Sequence, residues 1–361
     1  MSHSFVPGPV DVDASVLAAQ SAQMIPHRSP KFETMFHQAE SKTRLLFGTH
    51  SRVFITASSG TGLQEAAVRN FANEYVLSCV NGAFGDRWHV VAQMNGKNAD
   101  RLEIEWRHPL TPELVVDALK VKSYELVTIV HNETATGIQN PVWDIAQAVR
   151  ARNPDIIICV DAVSSLGGVP VAMDSWGLDM VFTSSQKCLA LPPGLGLGAT
   201  SDRALTRAKS VSNRGWYFDL LRMEDHRVRN STPATPAISL IYALALQLDR
   251  IMAEGLEARF ARHEAMAARV QEWVLDRGFE IYAPEGYRSQ TVTKIINNHD
   301  LEIKKLNAHL QNFDMCIANG YGPLRDKTFR IAHMGETRME HINTLLAHID
   351  DYMRSSIGNS S

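Results

Sequence analysis

Short apolar segments alternate with longer amphipathic segments between residues 52 and 185, and this alternation restricts the fold more than any other feature of the sequence. The segments of strand character are RVFITAS, YVLSCV, ELVTIVH, DIIICVDAV and DMVFTSS, at residues 52–58, 75–80, 125–131, 155–163 and 179–185. GLQEAAVRNFA (62–72) and PVWDIAQAVRAR (141–152) have the pattern of helices. Strand–helix–strand order requires crossover connections, which favour a largely parallel sheet covered by helices on both faces. The continuous apolar run DIIICV supports a strand that is buried on both faces.

The pattern changes after Ser231. A proline-rich turn, STPATP, precedes a long stretch in which apolar residues recur at helical spacing. Residues 279–357 then mix strand-like and helical segments, which is typical of a compact α+β lobe. We therefore predict three parts, which are an N-terminal arm (1–20), a large α/β domain (21–255) and a small C-terminal α+β domain (256–361).

Length and composition exclude several classes of protein. The 361 residues are enough for one large domain and one small one. A net charge of −3 gives no indication of a polyanionic partner, so nucleic-acid binding is not expected. The sequence contains no apolar run of about 18 residues, so no membrane span is expected. The first residues lack the pattern of a secretory signal. The four cysteines are scattered without a C-x-x-C pair, which argues against a metal site and favours reduced thiols in the cytoplasm.

Polar motifs follow the predicted strands, and ligands of parallel sheets bind beyond the carboxyl ends of the strands. SSGTG (58–62) lies between a strand and a helix, where small residues and free helix N–H groups would suit a phosphate. It is neither a Walker loop nor a G-x-G-x-x-G motif. A plain strand-to-helix turn with serine and threonine caps explains the same residues at least as well.

Asp161 and Lys187 follow two later strands. Asp161 ends an apolar strand, where a carboxylate is costly without a partner such as a protonated ring nitrogen; a turn cap is the alternative. Lys187 lies in SSQKCLALPPGLG, where desolvation would lower its pKa and leave the neutral amine that imine formation requires. The alternative is a lysine whose amine reaches solvent. The phosphate turn and the strand-end aspartate that precede Lys187 favour the imine-forming lysine over this alternative.

Two further motifs belong to the same edge of the sheet. HNETATG (131–137) supplies hydroxyl and amide groups directly after a strand, although it also fits an ordinary polar loop. Phe84, in NGAFGDRW, is suited to stacking on a planar ligand, although core packing would explain it too. A phosphate site, an aspartate for a pyridinium nitrogen and a neutral lysine are together what pyridoxal 5′-phosphate (PLP) requires of a protein.

In combination, these motifs resemble those of the class V aminotransferases of the type I PLP fold, in particular the alanine–glyoxylate and serine–glyoxylate (serine–pyruvate) branch. The similarity covers nearly the whole chain and includes PGPV, HRSP, the SGT turn, NGxFGxRW, HNETxTG, VDAVSSLGG, SSQK with PPGLG, and FRIAHMG. It implies a large domain with a mostly parallel seven-stranded sheet, a small C-terminal α+β domain, PLP as cofactor and a homodimer with a shared active site.

The resemblance also implies roles for individual residues in binding the cofactor. Lys187 would form the imine with PLP and later act as general base or acid, while Asp161 would pair with the pyridine nitrogen. Phe84 would stack on the ring where many relatives carry tryptophan. The phosphate would be held by Ser59, Gly60, Thr61 and Gln186. Val163 would pack on the other ring face, and Thr134 would form a hydrogen bond with the ring hydroxyl.

Four more residues have roles implied by the resemblance at the edge of the site. Thr232, with Thr235 nearly as good a choice, would reach the phosphate of the neighbouring subunit. Arg330 would bind the substrate α-carboxylate with its guanidinium fork. The backbone near Gly8 would close the site from the N-terminal arm.

The resemblance implies transfer of an amino group from alanine or serine to glyoxylate or pyruvate by a ping-pong mechanism. Phosphoserine or aminoethylphosphonate transamination is an alternative that would need extra basic residues, such as His27, Arg28 or His333. A cysteine desulfurase would need a nucleophilic cysteine on a mobile loop, whereas Cys316 falls in a strand-like segment and Cys188 is expected to point away. A non-catalytic subunit is the last alternative, and the intact lysine, aspartate and arginine argue against it.

Overall fold

The computed structural model describes residues 3–358. Its strands are β1 (His3–Phe5), β2 (Arg52–Ala57), β3 (Tyr75–Val80), β4 (Asn98–Glu103), β5 (Leu126–Val130), β6 (Asn132–Glu133), β7 (Ile138–Gln139), β8 (Ile157–Asp161), β9 (Met180–Ser184), β10 (Leu195–Thr200), β11 (Glu280–Ile281), β12 (Val292–Ile296), β13 (Met315–Asn319) and β14 (Thr328–Ala332).

The helices lie between these strands and after them. They are α1 (Ala14–Ala19), α2 (Pro30–Phe47), α3 (Gly60–Phe71), α4 (Ala83–Met94), α5 (Pro112–Ala118), α6 (Val142–Arg152), α7 (Met173–Trp176), α8 (Asp202–Lys209), α9 (Leu220–Arg227), α10 (Ile238–Glu254), α11 (Leu256–Asp276), α12 (Ile303–Gln311) and α13 (Met339–Gly358).

The large domain is built on a seven-stranded sheet in the order β2-β10-β9-β8-β5-β3-β4. Strands β4, β3, β5, β8 and β9 pair in parallel, whereas β10 is antiparallel to both of its neighbours, β9 and β2. The predicted, mostly parallel seven-stranded sheet is therefore confirmed.

Both faces of this sheet are buried, as the apolar run in β8 predicts. Ile158 and Val160 belong to the core on one face, and Ile157 and Cys159 belong to the core on the other. Because the carboxyl ends of the parallel strands meet at one edge, the loops that follow β2, β3, β5, β8 and β9 lie side by side.

The small domain contains a five-stranded sheet in the order β1-β13-β14-β12-β11, with a core formed against α11, α12 and α13. Its first strand comes from the other end of the chain, since His3 to Phe5 pair in parallel with β13. Phe5 is buried in the core of the small domain. The N-terminal segment is thus tied to the small domain before it continues towards the large one, and the boundaries at residues 20 and 255 stay predictions.

The long apolar-periodic stretch after STPATP forms two helices rather than one. Gly255 has φ +82° and separates α10 from α11. A side chain is rarely tolerated at this φ, so the glycine allows the change of direction that the periodicity of the flanking residues does not reveal. Among residues 3–358, no helix has the length and apolar character needed to cross a membrane.

Candidate active site

Lys187 follows β9 and lies under the N-terminal arm. Its Nζ donates a hydrogen bond to the carbonyl oxygen of Pro7 at 2.5 Å. Gly8 comes next in the arm with φ +136°, and a Cβ atom there would lie 2.7 Å from Nζ. Burial lowers the pKa of Lys187 to about 8, and the positive charges of Arg330 and Arg87 act in the same direction. Desolvation is therefore the main reason why the pKa of Lys187 is lowered, as the sequence predicted.

Asp161 is the last residue of β8 and is almost completely buried. Oδ1 accepts the Val163 N–H at 2.9 Å and Oδ2 accepts Gln64 Nε2 at 2.9 Å. Burial raises the pKa of Asp161 to about 6 despite these bonds. Among the described residues, no lysine, arginine or histidine nitrogen lies within ion-pair distance of the carboxylate. The structure thus positions a buried anion that still lacks a cationic partner, and such a group is costly to keep without one.

The SSGTG turn opens α3 directly after β2. Ser59 is the N-cap residue but its side chain makes no capping hydrogen bond, so the first N–H groups of the helix stay available to an anion. A Cβ atom at Gly60 would lie 2.6 Å from Cγ2 of Val163, which shows how closely the turn approaches the β8 loop. Thr61 Oγ1 is 3.4 Å from Nη1 of Arg87. The SSGTG turn and Val163, which is predicted to pack on one face of the ring, are therefore neighbours.

Two polar groups at the end of β9 and in the loop after it have no hydrogen-bond partner within the described part of the chain. They are Oγ of Ser184, at the end of β9, and Oε1 of Gln186, beside Lys187. Buried polar atoms are nearly always hydrogen-bonded, so orphaned atoms next to a helix N-terminus indicate a missing polar ligand. Only Ser184 is shown close to the turn, since a Cβ atom at Gly60 would lie 3.8 Å from its Oγ; the contact of Gln186 with the phosphate stays a prediction.

Phe84 and Thr134 lie on the loops after β3 and β5. Phe84 begins α4, and its N–H donates to Oε2 of the buried Glu133 at 2.9 Å. The Phe84 side chain is part-buried, and the guanidinium carbon of Arg87 lies over its ring, 4.9 Å from the centroid. Thr134 is buried, and its Oγ1 lies 2.6 Å from Oγ of Ser164. Both residues are at the edge of the sheet where the sequence predicted them, although neither contact identifies the atoms they would hold.

Arg330 lies on β14 of the small domain and reaches across to the large one. Its guanidinium donates from Nε and Nη2 to the Asn319 carbonyl at 3.1 and 3.0 Å, and from Nη1 to the Thr134 carbonyl at 3.4 Å. Only 8% of the residue is exposed, and burial lowers its pKa. No aspartate or glutamate among the described residues forms an ion pair with it. A buried guanidinium without a carboxylate is suited to bind one from a ligand.

Thr232 and Thr235 lie apart from this group. They line a cavity beside β2 together with Trp216 and Tyr217, and the lining residues of that cavity do not include Lys187 or Asp161. Thr232 donates from Oγ1 to the Ala234 carbonyl at 2.7 Å. Within one chain the two threonines therefore do not reach the site, and their proposed contact with the neighbouring subunit stays a prediction.

Several residues of the site were missed at the level of sequence. Gln64, one turn into α3, supports Asp161, and Glu133 anchors the N–H groups of Phe84 and Gly85 at the start of α4. Burial raises the pKa of Glu133 to about 7. Lys294 on β12 is buried, donates from Nζ to the Ala135 carbonyl and has a pKa lowered by burial to about 7. The HNETATG motif contained Glu133, but nothing in the sequence separated that residue from the threonines beside it.

Residues 14–323 match the family model described as aminotransferase class-V. The chain belongs to the class-V aminotransferase family. It is 34% identical to an L-aspartate–glyoxylate aminotransferase of Paracoccus denitrificans, over 92% of this chain and 86% of that protein. It is 33% identical to a serine–glyoxylate aminotransferase of Methylorubrum extorquens, over 93% and 87%. The solved structure of an alanine–glyoxylate aminotransferase from Nostoc sp. superposes with a TM-score of 0.91 at 27% identity, covering 98% of this chain and 95% of that one.

This class-V aminotransferase therefore uses PLP and exchanges amino groups between amino acids and 2-oxo acids, as the sequence predicted. The described residues fit the cofactor. The α3 N-terminus with the orphaned Ser184 and Gln186 atoms suits the phosphate, and the unpartnered Asp161 carboxylate suits a protonated ring nitrogen. Lys187, with its lowered pKa, suits the aldehyde carbon.

Two features that the alternative functions would use, a desulfurase cysteine and a substrate-binding His333, find no support in this geometry. Cys316 lies within β13, with Sγ 3.5 Å from Oγ of Ser4 on the paired strand β1, so it is not on a loop over Lys187. Cys188 is fully buried beside the Ser164 carbonyl. His333 is buried and engages Thr293 and the Gln290 carbonyl, so it does not offer a free cation for a substrate phosphate.

Proposed function

We propose that this protein transfers an amino group from a small amino acid, such as alanine or serine, to glyoxylate or pyruvate. The observation that carries this proposal is the buried Arg330 guanidinium, which has no carboxylate partner within the described chain, next to the part-buried Lys187 amine. An arginine placed in this way binds the α-carboxylate of an amino acid, and Lys187 would then lie beside its Cα. The names of similar proteins, which include serine–glyoxylate and alanine–glyoxylate aminotransferases, support the choice of substrates.

The residues of the site divide the work between binding and proton transfer. PLP, when bound, withdraws electrons from the substrate Cα, so that a proton can be removed there. With a pKa of about 8, roughly a tenth of Lys187 is neutral at pH 7. The neutral Nζ can take up the Cα proton of the amino donor and later supply a proton to the Cα formed from the acceptor. Asp161 stays anionic when a protonated nitrogen faces it, because the opposite charge offsets the burial that raises its pKa.

The exchange is balanced without an oxidant or a reductant. One substrate gives up its amino group and gains a carbonyl oxygen, and the second substrate undergoes the reverse change. Arg330 can serve both substrates because an amino acid and its 2-oxo acid carry the same α-carboxylate. A ping-pong order follows, in which the first product leaves before the second substrate enters the same pocket.

The N-terminal arm closes the site above Lys187. The Pro7 carbonyl accepts a hydrogen bond from Nζ, and the absence of a side chain at Gly8 allows this close approach. The arm is held by β1, which is part of the small-domain sheet, so the position of the small domain and the cover over Lys187 are connected. We infer that this cover excludes water from the reacting atoms.

The proposal includes a homodimer in which Thr232 or Thr235 reaches the neighbouring phosphate site. The position of both threonines outside their own site supports this arrangement. We also propose a cytoplasmic location, which is supported by the burial of Cys79, Cys159 and Cys188 as separate free thiols.

The experiment that tests the proposal is a set of half-reactions of the PLP-loaded protein. Alanine and serine are each added without an acceptor, and the loss of the visible absorbance of the bound cofactor is followed. Glyoxylate, pyruvate and 2-oxoglutarate are then compared as acceptors that restore it. We expect alanine or serine to react and glyoxylate or pyruvate to restore the absorbance, and we expect Lys187→Ala to do neither. Full turnover by Lys187→Ala, or no spectral change with any amino acid, would refute the proposal.

A further inference from the structure

Arg87 faces the same space as Phe84 and Thr61. It lies in the first turn of α4, three residues after Phe84, and its Cζ is 4.9 Å from the centroid of the Phe84 ring. Nη1 donates to Thr61 Oγ1 at 3.4 Å, and Nη2 donates to the Tyr321 hydroxyl at 3.2 Å. Arg87 therefore points towards the site, between the SSGTG turn and the small domain.

The guanidinium of Arg87 has only neutral oxygens as hydrogen-bond partners. No aspartate or glutamate within residues 3–358 forms an ion pair with it, although the preceding residue, Asp86, pairs with Arg101. Because the neighbouring carboxylate of Asp86 pairs with Arg101, the charge of Arg87 stays available to a ligand.

Tyr321 connects Arg87 with Arg330. The Arg330 guanidinium carbon is 5.7 Å from the centroid of the Tyr321 ring, and the hydroxyl at the other end of that ring accepts from Arg87. Two guanidinium groups without carboxylate partners therefore contact the same tyrosine. Both also lower the pKa of Lys187, in addition to the larger effect of burial, so both charges act on the amine that faces the substrate.

On the basis of the proposed function, we propose that Arg87 binds the second carboxylate of a dicarboxylic amino donor, such as aspartate or glutamate, while Arg330 binds the first. Two guanidinium groups without carboxylates are complementary to a substrate with two of them, and each provides charge-assisted hydrogen bonds. An amino acid with an uncharged side chain uses only one of the two. Arg87 would thus determine the preference among donors for the same transfer reaction.

The nearest other use of Arg87 is binding of the cofactor phosphate, because Thr61 belongs to the turn that suits a phosphate. The bond from Nη2 to Tyr321 favours the substrate, since that bond directs the guanidinium towards the small domain and Arg330 rather than along α3. The two uses differ in what they affect: loss of a phosphate contact weakens cofactor binding, whereas loss of a substrate contact changes the ratio between donors.

The experiment compares the PLP-loaded wild-type protein with Arg87→Met and Arg87→Gln, which can keep a hydrogen bond to Tyr321 but has no charge. Arg107→Met is the matched control, because Arg107 pairs with Glu280 on the surface and such pairs contribute little. The kcat/KM for aspartate and glutamate should fall roughly 10- to 100-fold in both Arg87 variants, with that for alanine nearly unchanged. Butyrate should bind weakly to all four proteins. In calorimetry, succinate, which has two carboxylates and no amine, should bind more tightly than butyrate only to wild type and the control, because the Arg87 variants keep Arg330 alone.

Three results would overturn the inference. They are an equal loss for aspartate and alanine, a higher PLP dissociation constant with an unchanged donor ratio, and wild-type protein that does not distinguish succinate from butyrate. The wild-type comparison of succinate with butyrate needs no variant, so it decides even if the variants fold poorly. If the wild type uses alanine but neither aspartate nor glutamate, this inference fails and the proposed function stands. If no amino acid reacts at all, the proposed function fails.

Discussion

Replacement of Lys187 by methionine is expected to stabilise the cofactor-free protein at neutral pH. Burial lowers the pKa of Lys187 from 10.5 to about 8. Each tenfold change in a protonation equilibrium corresponds to about 1.4 kcal/mol, so the folded state disfavours the charged amine by about 3 kcal/mol. The side chain is not fully buried, and solvent near Nζ reduces this figure. Lys187, for which we propose the catalytic role, therefore lowers the stability of the protein without its cofactor.

Two structural terms oppose this gain in the methionine variant. The hydrogen bond from Nζ to the Pro7 carbonyl is lost, which costs about 1 kcal/mol. Methionine keeps an unbranched chain of similar length beneath Gly8, so little packing is lost. The expected net increase in the free energy of unfolding is about 1–2 kcal/mol at neutral pH.

The sign of the pH dependence follows from the direction of the pKa shift. Between about pH 8 and 10.5, the unfolded chain keeps a proton on Lys187 that the folded protein has lost, so the wild type becomes more stable as pH rises. Lys187→Met has no such dependence from this position. The difference between the two proteins should be largest below about pH 8 and should decrease up to about pH 10.5.

Urea unfolding of the cofactor-free proteins at several pH values between about 7 and 10 measures this difference. Lys209→Met, which removes an exposed lysine of α8, is the control and should show no comparable dependence on pH. A Lys187→Met protein that is less stable than wild type at neutral pH would refute the reasoning. A difference that is constant across the pH range would show that packing, and not the buried charge, determines it.

Three other substitutions test the remaining parts of the site. Asp161→Asn cannot supply the negative charge for a ring nitrogen. The rate constant of the half-reaction, measured in single-turnover experiments, should therefore fall by roughly 10²- to 10³-fold, with the PLP dissociation constant much less affected. Arg330→Met should raise KM for every amino donor roughly 10- to 100-fold, measured by steady-state kinetics, whereas an effect on only one donor would contradict α-carboxylate binding. Arg259 is fully buried, pairs with Glu254 and Glu336 and donates to the Cys188 carbonyl at 2.7 Å. Arg259→Met should therefore lower the free energy of unfolding by about 3–5 kcal/mol in urea, and a loss well below 1 kcal/mol would contradict the importance assigned to this cluster.

Five strands of the large sheet and the residues that follow them could be predicted from the sequence for a physical reason, whereas β4, β10 and the order of the strands in the sheet were not predicted. A parallel sheet buried on both faces requires continuous apolar segments, and DIIICVDAV is such a segment, ending in Asp161. Once the strands are located, the carboxyl ends share one edge, so Asp161 and Lys187 must lie close together although the chain separates them. The short motifs then limited the chemistry of that edge.

The contributions of the small domain could not be predicted in the same way. Lys294 lies within TVTKIIN, a pattern that fits a strand with its lysine in solvent. In the structure it is buried, because the loop after β5 packs on β12: a Cβ atom at Gly137 would lie 3.1 Å from the Lys294 Cβ. Burial of Lys294 depends on the contact between the two domains, and the local sequence pattern cannot predict that contact. Arg87 was missed for a similar reason, because Tyr321 reaches it from the other domain.

The strand register places Lys294, which the sequence did not single out, beside the predicted Arg330. Lys294 and Arg330 are directly opposite each other on β12 and β14, and like charges in that arrangement destabilise a sheet. Both are nevertheless buried, and both donate to carbonyls of the loop after β5: Lys294 to Ala135 and Arg330 to Thr134. That loop therefore contacts Lys294 and also Arg330, for which we propose substrate binding. Because Lys294 has a pKa of about 7, its share of the repulsion against Arg330 decreases as pH rises through neutrality. The contact between the two domains thus determines how strongly two buried cations repel each other beside the loop that carries Thr134.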